Sequence, residues 1–188
     1  RIGFETLHPG PGYGGSCFPK DVAALLDMAT SSGYDFELLR SVVAVNERQR
    51  DRVVDKVRAA CGGSVAGRSI GVWGLTFKAN TDDLRESPAV YVVEALVAEG
   101  AQLRVYDPVA AADATDQLPG VERVADPYDA ASGASVVALL TEWDELKTLD
   151  FRAVHASMQP PHEVVDARNL LDASALRLLG FGYQGIGR

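Results

Sequence analysis

The period of the apolar residues changes near residue 62, so the two stretches on either side cannot share one architecture. Beyond the breaker "GGSVAG", the runs "SIGVWGL", "LRVYD", "SVVALLT" and "EVVDA" are short and β-branched. Helical segments separate them: "SPAVYVVEALVAEG", "DPYDAAS", "EWDELKTL" and "DASALRLLG". A last run, "FGYQGIG", adds an edge strand. Near-continuous apolar strands alternating with helices predict a parallel sheet covered on both faces. The expected fold class is therefore α/β: a helical segment over residues 1–62, then a doubly wound, Rossmann-like parallel-sheet domain over 63–188. Such sheets bind ligands at the carboxyl ends of their strands, which directs attention to the residues just after "SIGVWGL" and "EVVDA".

Before residue 62 the period is helical. After Pro19, Val22, Leu25, Leu26 and Ala29 share one face of a helix that stops at Gly33. A longer helix spans "FELLRSVVAVNERQRDRVVDKVRAAC", with apolar Leu38, Leu39, Val42, Val43, Val53, Val54 and Val57 and a polar middle from Glu47 to Arg52. A helix of that length either crosses a subunit or domain boundary or serves as a core helix with one solvated face.

Composition narrows the function classes. At 188 residues and 47% hydrophobic, the chain can bury a substantial core. A net charge of −8 argues against general affinity for nucleic acid or acidic membranes, and no apolar run reaches the ~20 residues of a membrane span. The chain has no initiator Met and no signal or transit pattern, so it is expected to begin partway through a longer protein. Cys17 and Cys61 are the only cysteines, neither in a CxxC spacing, and His8, His155 and His162 are scattered. No metal site is expected, and the low cysteine use fits a reducing cytoplasm.

The stretch "GPGYGGSCFPKD", residues 10–21, carries the chemistry. Pro19 suits the first turn of a helix, which places Ser16 and Cys17 at its N-terminus, where the helix dipole and Lys20 favour a thiolate. Asp21 comes four residues after Cys17, on the same helical face. Gly10, Gly12, Gly14 and Gly15 would let the backbone approach a ligand closely. This is the pattern of a nucleophilic cysteine, although a lone cysteine under a glycine-rich turn can also be a small buried hydrophobe. Cys61, at the far end of a helix, is expected to be inert.

A second cluster, "GLTFKANTDDLRESPA" (74–89), comes after the first strand. Lys78 and Arg85 could hold a phosphate there and Phe77 could offer a face to a base or sugar; alternatively Asp82, Asp83, Arg85 and Glu86 pair with one another. Gly71 and Gly74 do not make a GxGxxG fingerprint, so dinucleotide binding by this half is weakly supported. In "VVDARN", Arg168 emerges from a buried strand as either a ligand contact or an ion pair.

"RIG", "GPGYGGSCFPKD", "GLTFKANTDDLRESPA", "TEWDEL" and "DARN", in this order, resemble the nucleotide-sugar dehydrogenases, their UDP-glucose branch in particular. The resemblance spans essentially the whole chain. It implies an NAD-binding Rossmann domain ahead of this helical middle, a C-terminal domain for UDP, and oxidation of UDP-glucose to UDP-glucuronate with two NAD+. It further implies that Cys17 forms a thiohemiacetal and then a thioester, and that Asp21 helps activate the hydrolytic water. Lys20 and Arg85 match positions near NAD. Phe77, Lys78 and Arg168 match substrate contacts, as do Leu7, His8, Tyr13 and Gly14 within the loop from Leu7 to Gly14. Arg1 matches an arginine reaching the partner's substrate, with the long helix as a homodimer interface. His8 stands where the family often has Lys or Asn. The resemblance leaves open GDP-mannose or a UDP-N-acetylhexosamine as the sugar, and a non-catalytic binding or dimerisation module as the role. The 188 residues alone are expected to bind UDP weakly at most and to reduce no NAD+.

Overall fold

The computed structural model describes residues 3–110 and 118–187. Six parallel strands form one sheet: β1 (Ser69–Trp73), β2 (Gln102–Tyr106), β3 (Val121–Arg123), β4 (Val136–Leu139), β5 (Glu163–Asp166) and β6 (Gly182–Gly185). Their order, β3-β2-β1-β4-β5-β6, is that of a doubly wound sheet, with the direction of winding reversing between β1 and β4. The expected fold class holds. The three-residue edge strand β3 is an addition to it, because "VER" is too short to show a period.

Helix boundaries obey local chemistry. Ser87, Asp126, Asp150 and Asp172 cap α3 (Pro88–Ala98), α4 (Pro127–Ala131), α5 (Phe151–Ser157) and α6 (Ala173–Leu178) by accepting backbone N–H groups of the first turn. The segment "EWDELKTL" forms only a 3-10 turn over Asp144–Thr148; the helix on this crossover is α5, one step later, started by the Asp150 cap.

Alternation along the strands divides the core. Ile70 and Val72 of β1 and Val136 and Ala138 of β4 face Val92 and Leu96 of α3 and Val53 and Val57 of the long helix α2 (Glu37–Ala60). Trp73, Val137 and Leu139 face the other way, against Val154, Leu176 and Phe181. The Trp73 indole N–H donates to the Pro127 carbonyl at 2.9 Å. Gly71 is required by this packing: a Cβ there would lie 2.5 Å from the Ala130 carbonyl oxygen.

The 24-residue α2 belongs to two environments. Its second half, Val53, Val54, Val57 and Ala60, is buried in the sheet's core. Its first half runs past the sheet beside α1 (Phe18–Ser31), leaving Leu38 72% and Val45 55% exposed. In α1 only Val22 is buried, while Leu25 and Met28 are open. Of twelve large apolar side chains exposed among the described residues, nine precede residue 46, so this apolar face is left uncovered by the described residues. No helix among the described residues is long and apolar enough to cross a membrane.

Gly71→Ala is expected to destabilise by about 2–3 kcal/mol, the usual cost of overpacking against backbone. Gly67→Ala, at φ +69° with nothing within 4 Å of the added carbon, is expected to cost only about 1 kcal/mol. Urea unfolding midpoints of the two variants check this.

Candidate functional site

Arg168, just past β5, gathers the carboxyl ends of three strands. Its Nε donates to the Leu140 carbonyl (2.9 Å) and a terminal nitrogen donates to the Phe77 carbonyl (2.8 Å). Glu142 Oε2 lies 2.9 Å from the same Nε, and the arginine side chain is only 15% exposed. Burial lowers the Arg168 pKa from its ordinary value, opposed by Glu142 and Asp166, and the group remains a cation at neutral pH. Its backbone N–H donates to Asp166 Oδ1 (3.0 Å); the other oxygen of that fully buried carboxylate accepts from Leu171 N–H (2.8 Å) and the Tyr183 hydroxyl (3.0 Å). Arg168 is thus an ion-pair partner, and it also lines two clefts of about 750 and 550 Å3 at this end of the sheet.

The glycine-rich loop lies across the same end. Its glycines are tightly packed inside the chain, and Gly10 and Gly12 also line the larger of these clefts. A Cβ at Gly14 would sit 2.1 Å from the Glu86 carbonyl oxygen, and one at Gly15 (φ +86°) 2.8 Å from the Phe77 ring. Side-chain amides of α2 hold the loop from its other side. Asn46 Oδ1 accepts from Tyr13 N–H (2.7 Å) and its Nδ2 donates to the Tyr13 carbonyl (3.2 Å). Gln49 Nε2 donates to the Gly10 carbonyl at 2.8 Å.

Two groups of residues emerge from the expected site. His8, Tyr13, Lys78 and Arg168 line the larger cleft together with Gln49, Glu142 and the α2 stripe Leu38, Val42 and Val45. Phe77 turns its ring toward Gly15, with Lys78 Nζ 5.3 Å from the ring centroid. Leu7, exposed at the end of the 3-10 turn Phe4–Leu7, and Gly14 do not line that cleft; Arg1 lies outside the described residues.

The second group surrounds the exposed Cys17, the N-cap of α1. Asp21 N–H donates to the Cys17 carbonyl at 2.9 Å, which closes the first turn and puts both side chains on one face. Lys20 Nζ lies 3.7 Å from Asp21 Oδ1, both well exposed. Arg85 binds Asp83 through two 2.9 Å contacts, and this guanidinium, with a lesser contribution from Ser16, pulls the Asp83 carboxyl down to about 2. The pairing raises Arg85 in turn, chiefly through Asp83 and to a smaller degree through Cys17.

The sheet of this chain does not fit a dinucleotide of its own. The turn after β1 lacks the glycine fingerprint, and the carboxylate at the end of β2, Asp107, is buried and occupied. Its oxygens accept from Leu75 N–H (2.7 Å), Thr76 N–H (3.1 Å), Ala110 N–H (2.9 Å) and the Trp143 indole (3.2 Å). Asp107 is thus committed within the chain rather than free to take a ribose hydroxyl.

Sequence reasoning missed Asn46, Gln49 and Glu142. Asn46 carries a readable signal: it is a poor helix former continuing the apolar stripe Leu38, Val42, Val45.

The thiols should separate cleanly. Cys61 is 5% exposed and burial raises its pKa, with Arg68 opposing weakly. Near neutral pH, iodoacetamide is expected to label one thiol per native chain and two after denaturation, with the native label lost in Cys17→Ser.

Comparison with known proteins agrees with this fold. The chain is 44% identical over 188 residues to the UDP-glucose 6-dehydrogenase of Rhizobium meliloti (strain 1021), covering all of this chain and 43% of that protein. It therefore spans less than half the length of this relative. Among solved structures it resembles a UDP-glucose dehydrogenase from the hyperthermophilic archaeon Pyrobaculum islandicum, with a TM-score of 0.83, 34% identity and coverage of 98% of this chain and 40% of that one. It also resembles a UDP-D-ManNAc dehydrogenase from Pyrococcus horikoshii, with a TM-score of 0.80, 30% identity and coverage of 96% and 40%. Residues 1–48 match the central domain of the UDP-glucose/GDP-mannose dehydrogenase family. Residues 71–173, more than half of the chain, match that family's UDP binding domain, and the chain belongs to the UDP-glucose/GDP-mannose dehydrogenase family.

Proposed function

We propose that this chain is the thiol-bearing and UDP-binding portion of an NAD-dependent enzyme that oxidises C6 of UDP-glucose to give UDP-glucuronate. The observation that carries the reading is the exposed Cys17 at the head of α1, delivered by a loop that also lines the Lys78–Arg168 cleft of the UDP binding domain. In this reading residues 1–62 form the central segment and 63–188 the UDP-binding unit. His8, Tyr13, Lys78 and Arg168 receive the nucleotide sugar, and a buried cation with a fixed geometry suits an anionic diphosphate.

The chemistry asks two things of the chain's own groups. Once C6 is an aldehyde, the Cys17 sulfur adds to its carbon, the C–S bond forms and the oxygen takes a proton, giving a thiohemiacetal. Loss of hydride from that carbon, with the hydroxyl proton released as the C=O bond forms, leaves a thioester. Water then attacks the acyl carbon, Asp21 takes its proton, the C–S bond breaks, and Cys17 returns as the acid is released. NAD would supply the hydride acceptor for both oxidations, held by a domain the resemblance puts before Arg1, with Lys20 and Arg85 as the residues of this chain assigned to contact it. Each turnover thus yields two NADH.

The apolar face of α1 and the first half of α2 is assigned to a second copy of the chain, making a homodimer in the cytoplasm. Leu25→Glu with Met28→Glu is expected to shift that dimer to monomer in light scattering.

The decisive experiment is NADH yield per sugar for the protein expressed from its complete reading frame, against UDP-glucose, UDP-N-acetylhexosamines and GDP-mannose. Two NADH per UDP-glucose are expected, falling by at least about a thousandfold in rate in Cys17→Ala. That yield from another sugar would keep the mechanism and overturn the substrate; no yield from any would leave a binding module.

A further inference from the structure

We infer that Asn46 is a positioning residue for the nucleotide-sugar cleft, holding Tyr13 in place as a neighbouring strand would. This rests on the reading of that cleft as the UDP site.

A primary amide can mimic a peptide group, offering one acceptor and two donors. Asn46 uses both functions on a single residue, accepting from Tyr13 N–H and donating to the Tyr13 carbonyl. Its side chain sits in a residue only 6% exposed, on a helix interior where asparagine is otherwise unfavourable. The loop reciprocates. Gly12 stands at φ +115°, and a Cβ there would lie 2.7 Å from Asn46 Oδ1, so glycine is required for the amide to reach past it. Gln49, one turn further along α2, holds Gly10 in the same manner.

The clamp extends in two directions. Asn46, Tyr13, Gly12 and Gln49 all line the cleft with Arg168, so the loop's placement sets the cleft's width. On the other side the Tyr13 ring meets Phe18 edge-on, centroids 4.7 Å apart, and Phe18 is the residue after Cys17. One amide therefore fixes the cleft wall and, through that ring contact, the start of the helix that carries the thiol.

The test uses the protein from its complete reading frame, with UDP as the ligand, measured by calorimetry well below the unfolding temperature. Asn46→Ala and Gly12→Ala are each expected to weaken UDP binding by about tenfold or more. The double variant is expected to fall well short of the product of the two losses, since both break one contact. Hydrogen exchange of the peptide spanning residues 10–16 should quicken in Asn46→Ala, while the Val53–Val57 stretch of α2 keeps its protection. Far-UV circular dichroism should match the parent for both. UDP bound by the parent and equally well by both variants overturns the clamp alone. No UDP binding by the parent overturns the functional reading and the inference with it.

Discussion

A buried guanidinium must find partners, and those of the Arg168 side chain come from two separate parts of the chain. Leu140 and Glu142 come after β4 and Phe77 after β1, while Asp166, at the end of β5, takes the Arg168 backbone N–H. Each of these strands could carry its loop elsewhere; the charge forces the loops to converge. Gly10 adds the fourth element, since even a Cβ there would lie 3.3 Å from a terminal nitrogen of Arg168. The cleft at the end of the sheet exists because these elements meet at one cation. Leaving that cation without partners would cost several kcal/mol.

The glycine-rich loop imposes a second constraint. Tight turns of glycine before a helix are read most naturally as room for a phosphate. Here the space is filled by the protein itself: the Glu86 carbonyl at Gly14, the Phe77 ring at Gly15 and the Asn46 amide at Gly12. What this packing achieves is placement. It carries Cys17 to the open N-terminus of α1 and leaves it exposed, while the other thiol, Cys61, is sealed at the end of α2. The contrast in exposure between the two therefore comes from tertiary burial as well as from helix ends.

Much of the architecture was legible because it rests on local rules. The β-branched runs found their strands, most plainly the central β1 and β4, which are buried on both faces and so apolar nearly throughout. Ser87-Pro88 and Asp126-Pro127 announced their helices by capping chemistry that acts within three residues. The illegible parts lacked a local signal. β3 is three residues at a sheet edge, and the crossover after β4 placed its helix on Asp150 rather than at the more helical-looking "DELK". In the site, His8, Tyr13, Lys78 and Arg168 came together as their motifs suggested. Asn46 shows only as a polar break in an apolar stripe and Gln49 not at all, because their partners lie 33 and 39 residues away.

The sequence by itself determined the fold class, the position of the cysteine at a helix start and the membership of the motifs in one family. Those depend on periodicity, on proline and on contiguous residues, all of which act at short range. Only the tertiary structure decided which residues meet. It stacked His155 on His162 with ring centroids 4.1 Å apart, although no spacing pattern links them along the chain. It committed Asp107 to backbone N–H groups and the Trp143 indole, and packed Gly14 and Gly15 against Glu86 and Phe77. The physical reason is that packing couples residues that are distant in the chain, and a buried polar group such as Asp107 takes whatever partner that packing brings within hydrogen-bond reach.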